Sequence, residues 1–406
     1  MLIALGVKVL SAIVFFLVYT YYYSNREETD MYRYYDDAKI MYSATDENTA
    51  DYFKMMTGFQ DKSENIYEQY YVRMNTWHKS YDYFVRNDNR TMVRINAFLM
   101  LFSFGSVYVH MFFFMMLGFI GTIWIFKTLK SDNPVKDKIL FFFLMFFPSF
   151  VFWTSNISKE ALLIFALGGF LYSLKKLTQR PFKAMFLLWI AVFTYFMLSM
   201  KIYVLFCLIP AMIAFVWTKL SSNRFAFFKY AIVFAVYIAL LWNFHHIFPT
   251  MKFLEAFVRK QHDFVHFAQS IDAGSMLQVK MLEPNIVSVL CALPGAMLTV
   301  LFRPFFFDSD NLFMFFISIE NLLFVAFLVF CFLFRNKNFK PDQLFWTNMF
   351  FAFFFFSLIG LATPVLGAVV RYKIVAYPFL LAALISLTDS ELIKKKLPFF
   401  FKNMST

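Results

Sequence analysis

The feature that most constrains this chain is a series of apolar runs, roughly 17 to 25 residues each, the length needed to cross a hydrocarbon core, recurring from one terminus to the other. Such a run crosses a membrane only as a helix here, because every backbone N–H and C=O must find its partner inside the segment. Drawn from the sequence, the runs fall at 3–23, 106–127, 139–154, 160–175, 184–200, 202–218, 226–246, 311–334, 343–361 and 369–389. Composition agrees: the 406 residues are 60% hydrophobic and only 16% charged, with a mean hydropathy of +0.59, far from an average soluble domain. The expected fold is all-α, a polytopic membrane protein of about 10 transmembrane helices with no separate soluble enzyme domain. The 62 Phe then read as lipid-facing surface and bundle filler.

A net charge of +12 raises nucleic-acid binding, but the position of the cations points elsewhere. Lys127, Lys130, Lys136 and Lys138, then Lys175, Lys176, Arg180 and Lys183, then Lys219, Arg224 and Lys229, then Arg335, Lys337 and Lys340, and finally Lys394, Lys395, Lys396 and Lys402 all fall on one side of the ten spans. That bias is a topology signal placing both termini in the cytoplasm, and no motif supports a nucleic-acid partner. The expected organisation is a first transmembrane helix (1–23), an extracytoplasmic acidic, Tyr-rich loop with an interfacial helix (24–105), helices 2 to 7 (106–246), a second extracytoplasmic loop (247–310), helices 8 to 10 (311–390) and a basic tail (391–406). Within 247–310, the apolar piece 285–307 reads as re-entrant or interfacial, broken at Pro294-Gly295 and ended at Arg303-Pro304. Lys8 is the only cation of the first run and no small-residue cleavage site follows, so it reads as an uncleaved anchor. Cys207, Cys291 and Cys331 sit singly in apolar runs and read as small hydrophobes.

The first loop carries 13 Asp and Glu against 9 Lys and Arg between Ser24 and Met92, the reverse of the inner linkers. Helices are expected at 30–42, 48–56 and 64–85, with an amphipathic stretch at 93–105. In "TDMYRYYDDAK" (29–39), helical spacing puts Asp30, Tyr34 and Asp37 on one face. Two readings stand side by side: a carboxylate site, or Asp30 as a helix cap with Asp36 and Asp37 solvated. Lys159, Lys201, Arg303, Arg371 and Lys373 all fall at outer ends of apolar segments, where topology supplies no reason for cations. Each could snorkel to lipid phosphates; together they suggest a shared anionic ligand. Glu320, inside "FFISIENLLF", lies too deep for snorkelling and is expected to face the bundle and pair with one of these cations or with Asn321.

Carboxylates that activate a hydroxyl and cations that neutralise a departing phosphate describe glycosyl transfer from a lipid-linked donor. Tyr32, Tyr34, Tyr35, Tyr70, Tyr71 and Trp77 would offer ring faces to sugars. The order of parts resembles the multi-pass C-type glycosyltransferases (GT-C) and the related bacterial polysaccharide polymerases: a first span, the "TDMYRYYDDAK" loop, "FPSFVFWTSNISKEAL", "LPGAMLTVLFRPF" followed by "IENLL", and "PVLGAVVRYKIVAYPF". The likeness covers nearly the whole chain as an arrangement of short motifs. It implies a bacterial inner-membrane enzyme using a polyprenyl-phosphate sugar donor and a glycan or lipid-linked acceptor. It implies that Asp30 or Asp36 acts as base or metal ligand and that Arg371 and Lys373 contact the lipid phosphate. Many such loops carry a tight acidic pair; here Asp30 and Asp36 are split while Asp36 and Asp37 are adjacent, so the catalytic carboxylate and the need for a divalent metal stay open.

Other readings compete. "HDFVH" places His262 and His266 one helical turn apart beside Asp263, near the zinc-protease pattern, but with Asp for Glu and no fixed third ligand. A lipid-linked glycan transporter would favour two related halves, and no internal repeat is present. A non-catalytic assembly subunit would tolerate changes at Asp30, Asp36 and Arg371. No nucleotide-phosphate glycine loop occurs, and Gly168-Gly169 reads as helix packing.

Overall fold

The computed structural model describes residues 1–23, 25–77, 87–308 and 312–398. Among these the protein is helical throughout, with no strand and only the isolated bridges Met276–Val365 and Arg335–Thr388. The helices are α1 (Leu2–Leu17), α2 (Asp30–Glu47), α3 (Thr49–Thr57), α4 (Glu64–Gln69), α5 (Asp88–Ser103), α6 (Val107–Leu129), α7 (Pro134–Phe146), α8 (Pro148–Trp153), α9 (Lys159–Leu177) and α10 (Met185–Met200), continuing as α11 (Ile202–Leu220), α12 (Ala226–Asn243), α13 (Phe253–Ser270), α14 (Ile286–Phe302), α15 (Leu312–Leu333), α16 (Gln343–Ala362), α17 (Leu366–Lys373), α18 (Tyr377–Ser386) and α19 (Ser390–Lys396).

Six of these are long and apolar enough to cross a membrane: α1 extended to Tyr22, α6, α11, α12 extended to His246, α15 and α16. The α17–α18 pair, bent by 62°, makes a seventh if it counts as one span. Three of the drawn runs take other forms. The run 139–154 divides between α7 and α8 at Phe147-Pro148, because Pro lacks an N–H and disfavours helix in the residue before it. The run 160–175 is α9, with Lys159, Glu160, Lys175 and Lys176 at its two ends. The run 184–200 is α10, whose 16 residues reach only about 24 Å at 1.5 Å per residue. The expected break at Pro294-Gly295 does not occur: α14 runs through Pro294 and stops at Arg303. A Pro in an apolar helix is tolerated where neighbouring groups take over the freed carbonyl.

The chain divides into two compact units, residues 1–128 with 150–202, and residues 129–149 with 203–406. In the first unit the acidic loop folds on a core of its own. Met31, Tyr34, Tyr35, Ala38, Met41 and Ala44 recur at helical spacing along α2, and all are buried. They meet α5, which buries Val93, Ala97 and Met100 on its facing side. Side-chain caps mark the helix starts: the Asn48, Ser63 and Asn87 oxygens accept from the N–H groups of Ala50, Ile66 and Asn89. The expected helix at 64–85 ends early, at Gln69, and gives way to a single 3-10 turn at Tyr71–Arg73. Its residues 78–85 lie outside the described residues.

Behind the loop, α6 and α9 approach closely at glycines. A Cβ on Gly121 would lie 2.5 Å from the Ile164 carbonyl oxygen, and one on Gly168 would lie 2.3 Å from that of Gly121. The packing role expected for Gly168 is therefore observed. In the second unit α16 packs between α14 and α18, with Gly360 against the Ala296 carbonyl at 2.5 Å by the same measure. We predict that Gly121→Leu or Gly168→Leu lowers stability by about 1–3 kcal/mol or more, while Gly6→Leu, which meets nothing within 4 Å, leaves it unchanged. Thermal unfolding in detergent reads the difference.

Candidate functional site

The three carboxylates in the first half of α2, Asp30, Asp36 and Asp37, have three different fates. Asp36 is at the surface in a two-bond pair with Arg26, Nε to Oδ2 at 2.8 Å and Nη2 to Oδ1 at 2.7 Å. Asp37 is fully buried, and its oxygens accept from the backbone N–H of Asn75 and of Thr76, both at 2.8 Å, and from the Thr76 hydroxyl. Burial pushes this carboxyl up from the usual range, and the Thr76 and Asn75 donors oppose that shift. It holds the 75–77 strand of chain against α2, so Asp37 is structural. Asp30 opens α2, partly buried, one turn before Tyr34.

The aromatic side chains do not form a sugar platform. Tyr32, Tyr34, Tyr35, Tyr70, Tyr71 and Trp77 are all at most 4% exposed, so their rings are packed inside the protein rather than presented to a ligand. Trp77 stacks on Tyr71 with ring centroids 4.4 Å apart, and the Arg90 and Arg94 guanidiniums lie over its ring. Burial, reinforced by Asp61, pushes the Tyr71 phenol far above its ordinary range.

Two of the five singled-out cations do converge. Lys159 opens α9 and Lys201 follows the last residue of α10. The Lys159 ammonium lies 2.6 Å from Asp88 Oδ2 and donates to Asn89 Oδ1 at 2.6 Å; Lys201 lies 3.7 Å from the same Asp88 oxygen. The Tyr34 hydroxyl donates to Asn89 Oδ1 at 3.4 Å, and the Lys159 ammonium lies 5.5 Å from the Tyr34 ring centroid. All three charged side chains are at most 16% exposed. A cation at a helix N-terminus opposes the helix dipole, whereas Asp88 at the start of α5 and Lys201 at the end of α10 complement theirs. Lys159 is therefore held by Asp88 and Asn89 against its own helix. Two ammonium groups, one carboxylate, an amide and a phenol form a compact site with a net positive charge.

The other cations belong to the second unit. Arg303 pairs with Asp308, Nε to Oδ2 at 2.9 Å with a second bond from Nη2, and Asp308 also accepts from the Phe305 N–H at 2.7 Å. Lys373, 2% exposed, donates to the carbonyls of Val300 at 3.3 Å and Arg303 at 3.5 Å and to Asn321 Oδ1 at 3.4 Å. Arg371 is partly buried on the same helix. Residues two apart on a helix point to opposite sides, and Lys373 turns its ammonium to the end of α14 and to Asn321. Glu320 accepts from the N–H and hydroxyl of Ser149 at 2.7 and 2.8 Å. It faces the interior as expected, and its hydrogen-bond partner is a serine that sequence did not single out.

No family model, no curated protein and no solved structure matches this chain.

The zinc-protease reading has no support in the geometry. On α13 the His262 Nε2 is engaged with the Leu282 carbonyl at 2.9 Å while His266 is exposed, and among the described residues no three His, Cys, Asp or Glu side chains gather as a metal site. Sequence reasoning also missed a buried relay. Asn96 Nδ2 donates to the Met92 carbonyl, so its Oδ1 accepts from His110 Nδ1 at 2.8 Å, and His110 Nε2 in turn accepts from Ser103 at 2.8 Å. All three are at most 3% exposed, which fits a lock on the α5–α6 corner. Asp88 was legible only as a first-turn acid after Asn87; its partners are distant in sequence.

Asp37→Ala strands the buried Thr76 N–H and hydroxyl donors, each costing about 1–3 kcal/mol, and is expected to destabilise the first unit strongly. Asp36→Ala removes an exposed pair worth under about 1 kcal/mol; detergent melting curves compare the two. In the second unit, the Arg303 guanidinium holds the Asp308 carboxyl below the ordinary carboxylate range. The stabilisation is present above that range and is lost as pH falls through the lowered pKa. Hydrogen-exchange protection of the Phe305 amide is expected to hold at neutral pH and to collapse in acid well below pH ~4.

Proposed function

We propose that this chain is a bacterial inner-membrane glycosyltransferase of GT-C-like architecture. In this reading both termini lie in the cytoplasm, and the enzyme transfers a sugar on the extracytoplasmic face from a polyprenyl-phosphate donor to a glycan or lipid-linked acceptor in surface-polysaccharide synthesis. The observation that carries this reading is the convergence of Lys159 and Lys201 on Asp88 beside Tyr34.

In the transfer, an acceptor hydroxyl oxygen bonds to the anomeric carbon while the carbon–oxygen bond to the phosphate breaks. The hydroxyl proton goes to a general base, and the leaving phosphate gains negative charge. Lys159 and Lys201 are placed to receive that charge. Of the two carboxylates on the α2 face that carries Tyr34, Asp37 is taken up by Asn75 and Thr76. Asp30, partly buried at the start of α2 on the same face as Tyr34, is assigned the base. Asp88 is assigned the positioning of both lysines.

Surface-glycan profiling of cells carrying Asp30→Asn, Lys159→Met or Lys201→Met, with protein levels verified, tests the assignment. Asp30→Asn is expected to reduce transfer by about 10²-fold or more, each lysine variant to weaken it, and Asp36→Asn to leave it near normal. Loss of long chains alone would assign the same site to a polymerase. A normal glycan in all of the Asp30, Lys159 and Lys201 variants would overturn the reading.

A further inference from the structure

The second unit buries a carboxyl and an ammonium among helices apolar enough for a membrane, where ionisable groups are costly and serve a purpose. Glu320, on the candidate span α15, is 6% exposed; Lys373, at the end of α17, is 2% exposed. Oε2 of Glu320 accepts both Ser149 donors. Among the described residues no hydrogen bond reaches its Oε1. Oε1 is thus the oxygen on which a proton can sit without displacing an existing hydrogen bond. A fixed ion pair would look different: the Lys373 ammonium would contact the carboxylate. Instead it makes three long bonds, to the Val300 and Arg303 carbonyls and to Asn321 Oδ1, all uncharged acceptors.

The groups that act electrostatically on Glu320 from the elements around it are Lys373 and the Tyr377 phenol; the contact from the α8 side is Ser149, which does not titrate. Among the described residues, Lys373 is thus the one cation that offsets a carboxylate at this position. It also ends α17 where the chain bends by 62° into α18. Broken helices with buried ionisable groups are where membrane proteins bind ions and protons. We propose that Glu320 is a reversibly protonated site inside the second unit, with Lys373 as its charge partner. Release of the proton leaves a carboxylate that draws on Lys373 and competes with the three carbonyl-type bonds beside the bend. The ligand is a proton, and the site stands independently of glycosyl transfer.

Dicyclohexylcarbodiimide tests this on the full chain in detergent or lipid nanodiscs. The carboxylic O–H adds across one C=N bond of this apolar reagent, forming a C–O and an N–H bond. An acyl shift to nitrogen then fixes the product, and nothing leaves, so the Glu320 peptide gains the mass of one whole reagent. Labelling is expected at low pH, falling about tenfold per pH unit above a single midpoint, and absent in Glu320→Gln. Lys373→Met is expected to raise the midpoint, since the cation that favours the carboxylate is gone, and Lys373→Arg to leave it nearly in place. If Lys373→Met fails to fold, the carboxylic C=O infrared band, wild type minus Glu320→Gln, must titrate with the same midpoint. A folded protein with no labelling at any pH, labelling that survives Glu320→Gln, a midpoint indifferent to Lys373→Met, or an infrared band that does not titrate would each overturn the proposal.

Discussion

An apolar surrounding leaves a backbone polar group no partner but protein, and everything else in this molecule is arranged around that. Inside a helix the condition is met automatically; at ends and breaks it is not. The polar side chains buried in the apolar helices gather at those places. Lys8 reaches from α1 to the Val151 carbonyl and the Thr154 hydroxyl, where α8 runs out. The amide of Asn156, between α8 and α9, donates to the Ala12 carbonyl at 3.2 Å. Ser149, beside the Phe147-Pro148 break, gives its N–H to Glu320, and Lys373 serves the carbonyls at the end of α14.

The acidic loop obeys the opposite economy. It makes its own core largely from Tyr, Trp and Met, with Ala38, Ala44, Ile66, Val93 and Ala97 between them, and phenol groups are tied off by hydrogen bonds such as Tyr71 to Asp61 and Tyr52 to the Ala97 carbonyl. A core of this kind fixes α2 against α5. That contact brings Asp88 and Asn89, at the start of α5, to Tyr34 and to the two lysines that end apolar helices. The proposed chemistry is therefore built on a rigid helix pair, as a site that must hold a phosphate in register requires.

What was legible and what was not divides along one line. The α2 face Met31–Tyr34–Ala38–Met41, the caps at Asn48 and Ser63, and the stop at Arg303-Pro304 all depend on residues within a few positions of one another. The same local spacing foretold that Tyr34 and Asp37 share a face. It could not foretell that Asp37 would be consumed by Asn75 and Thr76, 38 and 39 residues away. Nor could it show that the tyrosines expected to greet a sugar would turn inward, since hydropathy is ambiguous for a ring with a polar tip.

The sequence by itself determined that this chain is helical and suited to a membrane, because run length and the need for internal hydrogen bonding leave no other form for so many apolar segments. It also determined which residues were chemically out of place: Lys159, Lys201, Lys373 and Glu320 among apolar neighbours. Only the tertiary structure decided their partners. Lys159 meets Asp88 across 71 positions of chain and Glu320 meets Ser149 across 171, and a hydrogen bond or ion pair acts over a few ångströms of space regardless of separation along the chain.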